Sequence, residues 1–443
     1  MSVKVGMVSL GCNKNQVDAE IMLSLITEHG FVICADPAKC DVVIINTCGF
    51  IEDAKREAIE NILEFAQLKK SGVIKAVVVT GCLAERYQME IAKEIPEADV
   101  ILGIGSNKNI AGAIERALSG EKVYMFGEKT ELPLSGSRII TTPPYTAYLK
   151  IAEGCDNRCT YCAIPLIRGG LRSRPLDEVV AEAEKLVADG VRELNVIAQD
   201  TTRYGEDLGG GLLLPKLLTR LCSIKDLHWV RVLYAYPDRV TDELLDVMAK
   251  EDKICKYIDI PLQHASGKIL KRMNRRFDRA SLTELLNKTR EKIKGVTLRT
   301  TFITGFPGET EEDFTELCTF VKEIRFDRLG CFAYSAEEDT PAASMPDQLD
   351  DDVKRRRAEV VMELQMGVSE ELSREKIGKT LEVLVEAYNK KEKIYSGRTA
   401  ADAPEIDGNV YFTSKTTLKA GSFVMVTVDD VTEYDLLGHM AEE

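Results

Sequence analysis

Glu153-Gly154-Cys155-Asp156-Asn157-Arg158-Cys159-Thr160-Tyr161-Cys162 carries three cysteines spaced C-x3-C-x2-C, directly after a strand-like run from Thr146 to Ile151. Thiolates at this spacing wrap one iron–sulfur cubane and leave its fourth iron without a protein ligand. An open iron binds a cofactor, and in this spacing the expected one is S-adenosylmethionine, held through its amino and carboxylate groups. Zinc is a competing reading, but closed zinc sites want four Cys or His ligands, and no His or second C-x2-C pair lies near. Inert buried thiols are the third reading.

Working outward from that run, strand patterns recur at Glu193 to Ala198, Trp229 to Ala235, Lys256 to Pro261, Thr297 to Ile303 and Arg328 to Ser335. Helical patterns fall between them at Leu176 to Ala188, Leu213 to Cys222, Thr241 to Ala249, Ala280 to Lys292 and Glu311 to Ile324. Six alternations with right-handed crossovers predict a partial TIM-like (β/α)6 barrel rather than a closed eight-unit one. Chemistry in such a barrel sits at the carboxyl ends of the strands, where Gln199, Asp200, Tyr234, Gln263, His264 and Gly305 to Glu309 stand. Of these, Gln199, Asp200, Gly305 and Glu309 are candidate cofactor contacts. The plainer alternatives are a helix cap for Asp200, a strand-to-helix turn for Gly305 to Glu309 and core hydrogen bonding for His264. No residue is singled out as a catalytic acid or base.

Before this barrel, Val3 to Gly11, Asp41 to Thr47 and Ala76 to Gly81 read as strands running directly into Cys12, Cys48 and Cys82. Helical patterns at Gln16 to His29 and Glu52 to Lys69 separate them, so the strands should be parallel and the three thiols should converge at one sheet edge. A second three-cysteine cluster is the functional reading, and buried structural thiols are the alternative. Gly11, Gly49 and Gly81 beside the thiols are expected to allow close backbone approach to a bulky inorganic group. Ser9-Leu10-Gly11-Cys12 has the look of a lipoprotein cleavage site, but Lys4 breaks the short apolar stretch before it, so strand and ligand is the better reading. The other cysteines, Cys34, Cys40, Cys222, Cys255, Cys318 and Cys331, are expected as small buried hydrophobes.

The fold class is thus multidomain α/β. Residues 1–140, with a further strand at Asp99 to Leu102 and a helix at Ile110 to Leu118, form a doubly wound domain, and Glu128 to Tyr145 has the composition of a linker. Residues 141–376 form the barrel and a charged helical connector, and residues 377–443 form a small antiparallel β-barrel with strands at Leu381 to Glu386, Asn409 to Phe412 and Phe423 to Val428. The net charge of −14 opposes indiscriminate binding to nucleic acid or anionic membrane. No apolar run approaches the roughly 20 residues that span a bilayer. Twelve cysteines in a chain of 443 residues make an odd disulfide framework, so a reducing cytoplasm is expected.

Gly11-Cys12-Asn13-Lys14-Asn15, Asn46-Thr47-Cys48, Gly81-Cys82, Gly154 to Cys162, and Arg168-Gly169-Gly170-Leu171-Arg172-Ser173-Arg174-Pro175 together resemble the radical S-adenosylmethionine methylthiotransferases over essentially the whole chain. The resemblance implies two 4Fe-4S clusters, an auxiliary one on Cys12, Cys48 and Cys82 and one on Cys155, Cys159 and Cys162 that binds S-adenosylmethionine. It also implies a terminal TRAM-type barrel that recognises substrate, and a place for Tyr161 near the adenine, against the plain reading of a core aromatic. In this family a 5′-deoxyadenosyl radical abstracts hydrogen, and a methylthio group assembled at the auxiliary cluster replaces it.

Ser9 to Asp18 and Gly397 to Gly408 are similar to the branch that modifies the β-carbon of an aspartate in small-subunit ribosomal protein twelve, free or in the ribosome. The sister branch modifies a transfer-RNA adenosine next to the anticodon. Either branch needs a low-potential electron donor such as flavodoxin or ferredoxin. Arg168, Arg172 and Arg174 are candidate substrate or phosphate contacts, with a solvated charged face as the alternative.

Overall fold

The computed structural model describes residues 2–442, and among them no helix is long and apolar enough to cross a membrane. The first sheet is parallel and six-stranded, in the order β2-β1-β3-β4-β5-β6. Its strands are β1 (Lys4–Ser9), β2 (Val32–Ile33), β3 (Val42–Thr47), β4 (Ala76–Gly81), β5 (Val100–Leu102) and β6 (Val123–Met125). The edge strands β2 and β6 were not expected; with two and three residues they are too short to show a period. Central β3 and β4 are buried along their whole length, as near-continuous apolar strands covered on both faces must be. Helices α1 (Asn13–Glu28) and α5 (Ile110–Leu118) cover one face, and α2 (Glu52–Lys70), α3 (Cys82–Tyr87) and α4 (Met89–Glu94) the other. The order reverses between β2-β1 and β3 onward, which makes the carboxyl ends of β1 and β3 the switch point where such sheets bind ligands.

Glu128 to Tyr145 is pinned rather than free. Glu20 of α1 accepts from Arg138 at 2.6 Å and from the Thr141 amide at 2.8 Å, so the connecting stretch is strapped along the first domain.

The second sheet runs β7 (Thr146–Lys150), β10 (Glu193–Ile197), β11 (Trp229–Val232), β12 (Ile254–Asp259), β13 (Thr297–Thr304) and β14 (Arg328–Ala333), with each strand parallel to the next and β7 and β14 left as open edges. A short pair, β8 (Ala152–Glu153) and β9 (Arg172–Ser173), brackets the cysteine loop. Helices α6 (Ile164–Arg168), α7 (Leu176–Ala188), α8 (Leu214–Cys222), α9 (Asp242–Lys250), α10 (Gly267–Arg272), α11 (Arg279–Lys292) and α12 (Glu311–Ile324) follow in turn, and α13 (Asp351–Arg374) packs on β14. Period-two alternation sends Ala147, Leu149, Leu194, Val196, Val230 and Val232 outward into the core beneath the helices. The intervening Lys150, Glu193, Asn195 and Arg231 are also buried but polar, and face the inside of the barrel.

The last sheet closes as β15 (Thr380–Asn389), β16 (Ile394–Thr399), β17 (Val410–Thr413), β19 (Leu436–Met440) and β18 (Phe423–Val431). It is antiparallel except for β17 with β19, a departure from the expected all-antiparallel barrel. The end of β16 and the loop after it reach into the amino-terminal mouth of the large barrel. There Arg398 pairs with Glu193 at 2.7 Å, Asp402 pairs with Arg328, and Asp407 accepts from Tyr257 at 2.7 Å. Gly397 to Gly408, one of the two stretches similar to the ribosomal-protein branch, is thus largely occupied in joining two barrels.

Candidate functional site

Each of the first three cysteines sits where a strand ends. Cys12 caps α1, Cys48 follows β3, and Cys82 opens α3 after Gly81, whose φ is +94°. Asn15 laces the strand ends together, donating to the carbonyls of Leu10 at 2.8 Å, Asn46 at 3.4 Å and Thr47 at 3.3 Å. The glycines bring the cysteine segments against one another. A Cβ on Gly11 would stand 2.8 Å from Cys48 Cβ, and one on Gly49 would stand 2.7 Å from the Leu83 amide. These close approaches, to the Cys48 side chain and the Leu83 backbone, are what let the strand ends meet.

Cys155, Cys159 and Cys162 lie on a loop fastened at both ends. The Cys155 amide donates to Gly169 O at 3.1 Å, and the Thr160 amide donates to Met273 O at 3.2 Å. Asn274 donates to the carbonyls of Asn157 and Arg158 at 3.3 and 3.0 Å. Arg275 stacks on Tyr236 with 4.2 Å to the ring centroid, points a guanidinium nitrogen at Cys159 Sγ from 3.8 Å and donates to Pro261 O at 2.6 Å. Sequence reasoning missed Arg275, because nothing in Met273-Asn274-Arg275-Arg276 departs from an ordinary loop.

The two cysteine sets touch through α6. Cys82 packs on Ala163 and Ile167, one of which directly follows Cys162. Arg168, fully buried, donates to Cys82 Sγ at 3.3 Å, to Asp18 at 2.7 Å, to Glu153 at 2.8 Å and to Asn15 Oδ1 at 3.2 Å. Lys150 joins the same group, pairing with Asp18 and, at 2.9 Å, with Glu153. Arg168 is thus neither a phosphate contact nor a solvated charge. Arg172 donates to the Thr130 and Lys129 carbonyls, and Arg174 pairs with Glu182 at 2.6 Å, so the arginine run ties segments together.

Electrostatics differ between the thiols. Burial pushes Cys82 up to about 12 and Cys155 up to about 11, and raises Cys48 and Cys162 as well. Cys12 is exposed as a residue, though its sulfur is desolvated by its neighbours; Lys14, Arg168 and the Asn15 and Lys14 amides outweigh that push and draw the thiol below its usual value. Thiols held neutral by burial ionise when a metal supplies the opposing charge. All twelve cysteines are free, and the six outside these sets lie in or against the apolar cores or are half-buried.

Other candidate contacts divide. Gln199 donates to Glu153 and leaves its buried Oε1 without a partner, an acceptor facing no protein donor. Asp200 is used up locally: Oδ1 accepts from the Thr202 amide at 3.0 Å, and Oδ2 from Asn157 at 2.7 Å. The helix-cap geometry is observed at Asp200. Glu309 is likewise committed, accepting from Arg357 at 2.7 Å and from the Gly305 amide at 2.9 Å, with His264 3.2 Å away. Gly305, at φ +71°, makes room for Lys354 of α13. Gly305 and Glu309 thus build a strand-to-helix turn. Tyr161 packs beside Ile269, Met273 and Phe306, with its hydroxyl 3.4 Å from Arg275. Tyr234 and Gln263, at successive strand ends, hold the left-handed conformation at φ 61° and 72°, a strain that clusters at working sites.

Among the described residues no three His, Cys, Asp or Glu side chains close on a single ion. A cubane, whose thiolates sit on separate irons, does not ask for that. Two converging cysteine sets, a buried cation between them and an orphaned acceptor at Gln199 fit two such clusters and a cofactor bearing an amino group.

The sequence matches the Radical SAM superfamily over residues 149–321, the TRAM domain over residues 377–440, and Uncharacterized protein family UPF0004 over residues 4–103. Fold and site thus define a radical SAM enzyme. Proteins named ribosomal protein uS12 methylthiotransferase RimO match it from end to end. That of Desulforamulus reducens is 50% identical over 99% of both chains. That of Clostridioides difficile is 49% identical over 100% of this chain and 99% of its own. The chain belongs to this RimO family. Among solved structures, the radical S-adenosylmethionine methyltransferase TsrM from Kitasatospora setae superposes with a TM-score of 0.57 at 15% identity over 75% of each chain. The cobalamin-dependent radical enzyme OxsB does so with 0.52 at 14% identity, over 82% of this chain and 56% of that one. Likeness at that identity speaks to fold alone.

Proposed function

We propose that this enzyme adds a methylthio group to the β-carbon of an aspartate in ribosomal protein uS12, using one 4Fe-4S cluster on Cys155, Cys159 and Cys162 with S-adenosylmethionine, and a second on Cys12, Cys48 and Cys82. The observation that carries the reading is the contact of the two cysteine sets through Cys82, Ala163, Ile167 and Arg168, which supports a radical-generating centre beside a sulfur-holding one. When bound, these groups supply hydrogen abstraction from an unactivated C–H bond, which side-chain acids and bases do not reach.

The protein's own residues do the holding. Gln199 Oε1 offers an acceptor for the cofactor's amino group, Tyr161 a ring for its adenine, and Arg275 a hydrogen bond to one ligand sulfur. Arg168 keeps Cys82 in register with α6 and compensates charge between the two sets. A low-potential donor of the flavodoxin or ferredoxin kind, in a reducing cytoplasm, completes the system.

The test is anaerobic reconstitution, followed by mass spectrometry of ribosomal protein uS12 and transfer RNA offered together. The expected product is methylthio-aspartate. Methylthio-adenosine as the only product would move the enzyme to the transfer-RNA branch.

A further inference from the structure

Resting on that reading, we infer that Lys14 is the residue that pairs with the carboxylate of the substrate aspartate and so selects an acidic side chain. Lys14 stands in the first turn of α1, two residues after Cys12, and is 8% exposed. Its ammonium crosses from the first domain to the barrel mouth, where it lies 3.4 Å from the centroid of the Tyr234 ring. Tyr234 stands two residues past the end of β11 and is held in the left-handed region at φ 61°.

Among the described residues no carboxylate pairs with Lys14, whereas the neighbouring cations Lys150 and Arg168 share Asp18 and Glu153. The Cys12 sulfur is the anionic neighbour of Lys14 within the protein, but a buried cation without a carboxylate partner is costly, and it persists where a ligand supplies further negative charge. Two further features of the same helix turn favour a negative ligand. Asn13 Nδ2 is buried without an acceptor, and no acidic residue occupies the first turn, whose dipole end favours an anion.

Three anions compete for Lys14: the auxiliary cluster, the carboxylate of S-adenosylmethionine and the carboxylate of the substrate. The cofactor's anchor, the Cys155 loop with Gln199, belongs to the barrel, whereas Lys14 projects from the sulfur-holding domain toward the barrel. The C–H bond to be replaced must lie between those two, and an aspartate presents its carboxylate one bond from that carbon.

The experiment uses the reconstituted full-length enzyme with ribosomal protein uS12 and its variant carrying asparagine at the modified aspartate, with equilibrium binding measured for each. The parent is expected to bind the aspartate form roughly tenfold or more tightly than the asparagine form, as for a hydrogen bond to a charged group. Lys14→Met should bind both forms equally, and Lys14→Arg should restore part of the preference, each with the parent's iron content. Preference retained in Lys14→Met overturns the inference. So does a loss of iron, or a shifted auxiliary-cluster potential, with preference intact, which would make Lys14 the cluster's counter-ion. A weakened affinity for S-adenosylmethionine with preference intact would assign Lys14 to the cofactor. If the parent binds and modifies neither protein, the functional reading fails as well.

Discussion

Arg168 touches a ligand sulfur with one guanidinium nitrogen and two carboxylates with another, so a single side chain connects Cys82, α1 and the strand leading to Cys155. Removing one partner of a buried ion group leaves uncompensated charge and costs about 3–5 kcal/mol. Arg168→Met should therefore lower the urea midpoint by that equivalent, and it should also lower iron bound by Cys12, Cys48 and Cys82. A variant with unchanged stability would mean that Lys150 alone suffices for Asp18 and Glu153. The cysteines themselves separate by role. Ala at Cys155, Cys159 or Cys162 should abolish reductive cleavage of S-adenosylmethionine, read as 5′-deoxyadenosine. Ala at Cys12, Cys48 and Cys82 together should leave that cleavage and remove about half the iron, as two clusters of equal ligation predict. Cysteine spacing and strand ends made these six residues legible. Arg168, Asp18, Glu153 and Lys150 were not legible as one group, because charge partners 132 and 150 residues apart leave no local pattern.

At the scale of elements, strand and helix order of the large barrel followed from periodicity, and bounds shifted by only a few residues, as at Ile254–Asp259 for an expected Lys256 to Pro261. What periodicity hid was the inward face. Glu193 and Arg231 alternate with outward Leu194 and Val230, and two polar residues inside a parallel strand pair read as noise until a partner arrives from β16. Glu193 is buried, which would raise its carboxyl, but Arg398 and Arg231 hold it down at about 2. Its native value thus lies below the unfolded value of about 4.3, and its contribution is present above that value and lost as pH falls toward 2. Glu193→Gln should cost about 3–5 kcal/mol at pH 7. The gap to the parent should narrow as pH drops below about 4.5, measured by denaturant unfolding across that range. A constant gap would mean that the glutamate's shape matters and its charge does not.

For the whole molecule, charge distribution bears on the partner. From residue 377 onward there are seven basic and twelve acidic residues, a net of −5. Arg398, Asp402 and Asp407 are consumed in the joint with the large barrel, leaving six basic and ten acidic. A domain that grips transfer RNA gains affinity from Lys and Arg releasing counterions, and this surface is poor in them. A cationic ribosomal protein fits it by complementary charge. The intact enzyme should bind ribosomal protein uS12 more weakly as salt rises, and Lys in place of Asp429, Asp430 and Glu433 should slow association; tight, salt-sensitive binding of transfer RNA instead would reverse the assignment. The group formed by Asp18, Lys150, Glu153 and Arg168 carries one last consequence, for how the chain reaches its native state. Asp18 comes from the first domain and Lys150, Glu153 and Arg168 from the barrel, so the first side alone buries one unneutralised negative charge and the second one unneutralised positive charge. The first two domains should therefore melt as a single cooperative unit, read as one calorimetric transition, and a first domain cut free of the second should be less stable than in the whole chain.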